Sequence, residues 1–499
     1  MFPTHEVLSI VTNKEIYIFY FFKKLFILLN FSIDHQHLLI NINSAINLYI
    51  FKKMDKDKST NCEPKIASKI GNFDKLTIWY KASRLAMSTG SANLGQGFPD
   101  WKPPEFFLEA LKKHISDPNV SHQYTRSFGN LKLTEALSRQ YSKIHKRTID
   151  ATNEIIVGNG GVSILYNAIT ALVEAGDEII LIEPFYDCYL PQAKFSGGKV
   201  IGIPMIPPKI REKSDFENIK EEDYAKLTDD WKLDFEKLKN TLSSKTKIII
   251  LNTPNNPTGK ILTYDELKQV AALLENYPNV IVLLDEVYEY MVFDEYEELP
   301  RMVNLPGMWD RCISIMSAGK IFSATGIRIG WGIGPKHLIA KIGAIYQVNS
   351  FCIYDPIQLA IADSIEIANQ PYEGFENYYK WLRGHYTSQR NYFIQKLIKN
   401  TKFDLNFFFP KGGYFIVADI SHKKIIQSKY RLEGDDEEVN YLKDFNYVLN
   451  LANEKKVVVI PCSVFYTDEN KSIGSNYIRL AFCKQKTTLD KAFDNLLNN

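Results

Sequence analysis

Little in this chain serves disulfide or metal chemistry. Its 499 residues include six cysteines (Cys62, Cys188, Cys312, Cys352, Cys462 and Cys483), scattered and without a C-x-x-C pair. That spacing argues against a disulfide framework and a zinc site and favours a reducing compartment. Cys188, just after a strand end, reads as a packed thiol. Charge of one sign is lacking too: a net charge of +2 makes no electrostatic case for nucleic acid or an anionic membrane. No apolar run reaches the roughly 18–20 residues that span a bilayer; the run 16–22 is broken by Lys23 and Lys24 before 25–29 resumes. No small-residue cleavage site follows, so a secretory signal is not expected, and no arginine precedes Arg84, which counts against a mitochondrial presequence. Internal repeats and low-complexity tracts are absent from the folded part.

What is there is enough to bury a sizeable core. At 45% hydrophobic and 24% charged residues, the chain could form two or three domains or one intimate α/β unit. Residues 1–60 do not conform to the rest. They read as a dispensable extension or a gene-model artefact with Met54 as the true start, a weak targeting segment being the alternative. Residues 61–92 form an N-terminal arm, with a short amphipathic helix over 75–87 carrying Leu76, Trp79, Tyr80, Ser83 and Met87. A glycine-punctuated loop covers 93–100. Helices are predicted from Pro103-Pro104 to about His114, over 131–145 and over 265–274, and apolar strands over 155–157, 178–182, 247–251, 280–284 and 312–316, with a further strand-like run through Trp331. Strands alternating with helices predict a mostly parallel sheet covered on both faces, with ligands at the carboxyl ends of the strands. Residues 209–230 read as a charged, solvated surface loop. Beyond residue 370 the pattern changes: a helix over 378–399, Gly412-Gly413-Tyr414 leading into a strand, a charged loop over 423–438, and strands over 457–460 and 477–482. The expectation is a large domain over 93–370 and a smaller α+β domain over 371–499.

The strand ends carry the chemistry. Strand 155–157 runs into Gly158-Asn159-Gly160-Gly161 and then a helix, a turn whose free amides make an anion site. Strand 280–284 delivers Asp285, Glu286 and Tyr288. Strand 312–316 delivers Ser317-Ala318-Gly319-Lys320, followed by Thr325-Gly326-Ile327-Arg328. A lone lysine between strands is ordinarily a solvated loop residue. A hydroxyl, an amine and a guanidinium in one short connection instead suit a phosphorylated aldehyde held as a Schiff base, which describes enzyme-bound pyridoxal phosphate.

Asn255-Asn256-Pro257-Thr258-Gly259, Asp285-Glu286-Val287-Tyr288, Ser317-Ala318-Gly319-Lys320 and Tyr477-Ile478-Arg479 occur in an order and spacing that resembles the class I/II aminotransferases of pyridoxal-phosphate fold type I. Residues 93–100, Glu183-Pro184-Phe185-Tyr186-Asp187-Cys188-Tyr189 and Pro306-Gly307-Met308-Trp309 resemble, more narrowly, the kynurenine aminotransferase group, also known as glutamine transaminase K or cysteine-S-conjugate β-lyase. The resemblance covers roughly residue 74 to the C-terminus. It implies an α/β fold with a seven-stranded, mostly parallel sheet, and transfer of an amino group from an aromatic or sulfur-containing amino acid or glutamine to a 2-oxo acid, with cysteine-S-conjugate β-lyase activity as a side reaction.

The resemblance also implies residue roles. Lys320 forms the Schiff base and shuttles the Cα proton, which requires its pKa to fall from the usual value of about 10.4. Asp285 pairs with the pyridinium nitrogen; Tyr288 and Asn256 bond the phenolic oxygen; Tyr186 stacks on the ring. Ser317, Arg328 and the amides of Gly161 and Val162 hold the phosphate. Arg479 forks onto the substrate α-carboxylate, which Gly97 approaches through its backbone. Trp79 and, from a second subunit, Tyr124 line an aromatic, uncharged side-chain pocket better suited to kynurenine, phenylalanine, methionine or glutamine than to aspartate. The expected assembly is a homodimer with shared active sites, without nucleic acid or membrane partners, in the cytoplasm, with mitochondria as the alternative. Three positions depart from relatives: Val162 where an aromatic is common, Ile353-Tyr354 where some carry Phe-His, and Arg328 where some carry lysine. The first two bear on substrate preference and not on catalysis. General glutamine, alanine or methionine transamination, a cyclising synthase acting on S-adenosylmethionine, and a regulator without turnover are the competing readings.

Overall fold

The computed structural model describes residues 67–210, 219–220, 224, 230–293, 296–399, 405–436 and 439–498. The expected N-terminal extension over 1–60, including Met54, lies outside the described residues, as does the start of the arm. Seven strands make the central sheet: β1 (Ile155–Gly158), β2 (Glu178–Glu183), β3 (Lys199–Pro204), β4 (Thr246–Asn252), β5 (Ile281–Asp285), β6 (Cys312–Ser317) and β7 (Gly330–Ile333). Their order is β1-β7-β6-β5-β4-β2-β3, and every pairing is parallel except those of β7, which runs antiparallel to both β1 and β6. Strands β1, β5, β6 and β7 are buried at every residue, as expected of a sheet covered by helices on both faces. Edge strand β3 is mostly half-exposed and contains Gly202; lacking a clean apolar run, it has no sequence signature.

The helices start and stop where short-range chemistry dictates. Thr77 caps the helix Ile78–Thr89 through Tyr80 N, and Gly90 closes it in the left-handed conformation, so this helix begins later than the periodicity alone predicts. Thr263 and Glu266 form a reciprocal capping box for Tyr264–Leu274. Helices Lys336–Asn349 and Asp355–Ala368, which carry no sharp sequence pattern, pack against Gly161–Leu172 and against Glu105–Ser116 with Leu131–Ile144 respectively. Among the described residues no helix is long and apolar enough to cross a membrane.

A second, antiparallel sheet follows, of β8 (Asn406–Phe407), β9 (Phe415–Asp419), β10 (Ile460–Pro461) and β11 (Tyr477–Ala481), in the order β10-β11-β9-β8. The predicted strand over 457–460 is divided: Val457–Val458 pairs in parallel with Ala92–Asn93, and β10 with β11. The two sheets meet through short backbone contacts at the carboxyl edge of the first. Lys411 N and Gly412 N donate to Gly259 O (3.1 and 2.8 Å), and Gly413 N donates to Met291 O (2.8 Å). The expected solvated loop over 209–230 needs correction at Tyr224, which is buried with its ring 5.0 Å from Phe409. Buried aromatic area outweighs the polarity of its sequence neighbours here.

Candidate active site

The carboxyl edge of the central sheet gathers most of the residues singled out above. Asn252 at the end of β4 sits in register with Asp285 at the end of β5, and Gly330 at the start of β7 pairs with both Gly158 and Ser317. The glycine turn, Ser317 and Arg328 therefore converge. A Cβ on Gly330 would lie 2.5 Å from Gly161 N and 2.6 Å from Met316 O, so only glycine permits this approach. Helix Gly161–Leu172 begins without a side-chain cap, leaving its first amides, those of Gly161 and Val162, available to an anion. Over the same turn lies Arg328: a Cβ on Gly160 would come 2.7 Å from its Nη2. Uncapped amides facing a guanidinium are chemically suited to an anion such as a phosphate group.

Lys320 stands on the short helix Ala318–Ile321 directly after β6. Its amine donates to Tyr414 Oη at 2.6 Å and lies 5.4 Å from the Tyr288 ring centre. Burial depresses its pKa to about 8, with the Arg328 and Arg479 cations adding to the effect against the opposing influence of Cys483 and Asp285. A lysine base requires this direction of shift. Asp285 is buried, accepts hydrogen bonds from Tyr189 Oη and from Val287 N (3.4 Å), and is pushed up to about 6, chiefly by burial. A buried carboxyl of this kind favours a cationic partner. Tyr288 is buried against Tyr414, with ring centres 5.0 Å apart, and burial raises its phenol. Tyr186 packs edge-on to Tyr189 at 5.7 Å. Burial pushes the Cys188 thiol up to about 12, consistent with a packed, protonated group.

Arg479 on β11 is buried. Its Nη1 donates to Asn256 Oδ1 at 2.9 Å and its Nη2 to Gly95 O at 2.5 Å. Aromatic rings surround it, with Phe415 at 4.0 Å, Trp79 at 4.9 Å and Phe465 at 5.2 Å. Two of its five N–H groups are thus occupied, and Nε is buried with no hydrogen-bond partner among the described residues. The free donors suit an incoming carboxylate. Gly97 sits beside it; a Cβ there would fall 2.3 Å from Phe415 Cζ, so the glycine is required first by that ring. Trp79 Nε1 donates to Asp187 Oδ2 at 2.8 Å. Burial raises the Asp187 carboxyl to about 6 against the pull of Trp79 and Arg479, so the pocket expected to be uncharged has an ionisable wall.

One expected residue is not brought to the cluster within this chain. Tyr124 is 83% exposed and packs on Phe351 at 4.9 Å. Conversely, Tyr189, Tyr414, Asp187 and Phe465 belong to the site although the sequence reading assigned them no role there. Tyr189 and Asp187 lie inside the segment 183–189 already singled out, and Tyr414 directly follows a glycine pair.

Residues 89–496 match the family model described as aminotransferase class I and II, and the chain belongs to that family. Aminotransferases of this family use pyridoxal 5′-phosphate. Among its relatives, the kynurenine–oxoglutarate transaminase of Dictyostelium discoideum is 39% identical over 429 residues, spanning 84% of this chain and 93% of that protein. The structure is similar to that of Bna3p of Saccharomyces cerevisiae, reported as a candidate kynurenine aminotransferase (TM-score 0.76, 31% identity, 87% of this chain and 98% of that one). It also resembles YbdL of Escherichia coli, reported with a methionine aminotransferase function (TM-score 0.72, 28% identity, 87% and 100% covered).

Proposed function

We propose that this aminotransferase takes its amino group from L-kynurenine or another aromatic or sulfur-containing amino acid, or from glutamine, and passes it to a 2-oxo acid. Pyridoxal phosphate, when bound, supplies an aldehyde for the amino group and a ring that takes up the electrons released at Cα. The chain's own residues would do the rest. Lys320 would hold the cofactor and then, as a free amine, move the Cα proton. Asp285, braced by Tyr189, would keep the ring nitrogen protonated, while Tyr288 and Asn256 would bond the ring oxygen and Tyr186 cover the ring face. The amides of Gly161 and Val162, with Ser317 and Arg328, would bind the phosphate. Arg479 would orient the substrate carboxylate beside Gly97, with Trp79 against the side chain. In a cysteine S-conjugate, the same deprotonation at Cα would let the thiolate leave Cβ, giving a β-lyase side reaction.

The observation that carries the donor preference is the setting of Arg479, whose free N–H groups sit within a ring of Trp79, Phe415 and Phe465. The names of the relatives point the same way. Methionine transamination is a second reading, favoured by the likeness to YbdL. For assembly we propose a homodimer in which Tyr124 serves the partner's site: Tyr124, Val348 (89% exposed), Phe351 and Tyr354 expose large apolar side chains on neighbouring segments, and such patches mark interaction surfaces. The free, scattered cysteines favour a cytoplasmic setting. The test is a donor panel on the cofactor-loaded full chain, comparing kynurenine, phenylalanine, methionine, glutamine, alanine and aspartate against one oxo acid. Kynurenine or phenylalanine should lead in kcat/KM; leadership by aspartate or alanine would overturn the pocket reading.

A further inference from the structure

We infer that Tyr414 is a positioning residue for the active-site amine: its hydroxyl orients Lys320 so that an N–H, and not the lone pair, is spent on the protein. This rests on the reading of Lys320 as the catalytic lysine. A tyrosine hydroxyl has one proton to give. That of Tyr414 goes to Gly97 O at 2.7 Å, so toward Lys320 Nζ, 2.6 Å away, the oxygen acts as acceptor. Were the Gly97 carbonyl not there, the phenol could donate to the amine and occupy the lone pair that a base or nucleophile needs. Holding the phenolic proton on the loop side removes that alternative.

The phenol has no freedom to turn away. Tyr414 is buried, with its ring 4.7 Å from Phe415, 5.0 Å from Tyr288 and 5.8 Å from Tyr386. The same bond ties to the lysine the loop at Gly97, whose Gly95 carbonyl accepts from Arg479 Nη2. Loop placement at the substrate carboxylate and amine orientation are therefore joined through one oxygen. The other titratable or charged groups facing the amine are Tyr288, with its ring centre 5.4 Å away, Cys483, Arg328, Arg479 and Asp285; among the described residues the hydrogen bond of Nζ goes to Tyr414.

Tyr414→Phe keeps the ring and removes the oxygen. In the cofactor-free protein, trace acylation across pH with mass-spectrometric mapping reads the titration of Lys320, and amide exchange reads residues 93–100. Loss of an acceptor for the ammonium form should move Lys320 titration to lower pH, and Gly97 and its neighbours should exchange faster. In the loaded enzyme kcat should fall roughly 10- to 100-fold, as positioning losses do, with KM for the donor changed far less and a larger kinetic isotope effect for Cα-deuterated donor. Unchanged Lys320 titration and loop exchange, with kcat within about twofold of wild type, would overturn the inference. If Tyr414→Phe does not fold, 3-fluorotyrosine at position 414 provides a graded test: a weaker acceptor must shift Lys320 titration in the same direction, and no shift counts against the role. Lys320→Ala separates this from the parent reading. If that variant binds cofactor and turns over like wild type, the catalytic-lysine reading fails and takes this inference with it; if only Tyr414→Phe is silent, the inference alone fails.

Discussion

Asp285→Asn should stabilise the cofactor-free protein while disabling it. In this structure the Asp285 carboxyl ionises near 6 and not at its ordinary 3.8, because burial outweighs the help from Tyr189 and Val287 N–H. The folded chain therefore keeps this proton to higher pH than the unfolded chain. Ionisation destabilises it: the penalty is absent below the ordinary value, accumulates between 3.8 and about 6, and is complete above. At 1.36 kcal/mol per pH unit, the full penalty is roughly 3 kcal/mol. Asparagine carries no charge in either state, so the difference between variant and wild type isolates this residue. Replacing a carboxyl oxygen by an amide adds an offset of about 1 kcal/mol through the Tyr189 hydrogen bond, and that offset does not depend on pH. Urea unfolding of both cofactor-free proteins is the assay. The stability of the variant relative to wild type should grow by about 2 kcal/mol between about pH 4.5 and 7. Saturating pyridoxal phosphate should reverse the ranking, since only the carboxylate can pair with a cationic ring nitrogen. A difference that stays flat with pH, or a larger cofactor-induced gain in the variant, would refute the reasoning.

Arg479→Lys should lower kcat/KM for every amino donor by roughly 10- to 100-fold, the value of one charge-assisted hydrogen bond; steady-state kinetics across donors checks it, and a loss confined to one donor would contradict a shared carboxylate role. Arg301→Met should cost about 3–5 kcal/mol in urea unfolding, because Arg301 is buried between Glu286 and Glu289 with Nη–carboxylate distances of 2.5 Å and its loss leaves two carboxyls, both already raised by burial, without a counter-ion. The deficit should widen as pH rises through their ionisation.

Much of the site was legible because chemistry at strand ends is local. Lys320 follows an apolar run through small residues, Asp285 closes another, and the glycines at 158–161 sit between a strand and a helix start. Each can be placed from its immediate neighbours. The same holds for the helix Tyr378–Lys399. Edge strand β3 was not legible because half-exposed residues around Gly202 carry no alternation. Tyr124 could be named but not placed, since within one chain it points to solvent.

By itself, then, the order of residues determined the mostly parallel sheet and the placing of Asp285 and Lys320 at the carboxyl ends of its strands, because hydrophobic periodicity and turn chemistry act over a few residues. Tertiary structure alone decided which side chains meet. Tyr189 reaches Asp285 across 96 residues, Tyr414 reaches Lys320 across 94, Trp79 reaches Asp187 across 108 and Arg479 reaches Asn256 across 223. Such pairs leave no local period in the chain. They form because burial on folding makes an unpaired polar group costly, and the partner it finds is set by how distant elements pack.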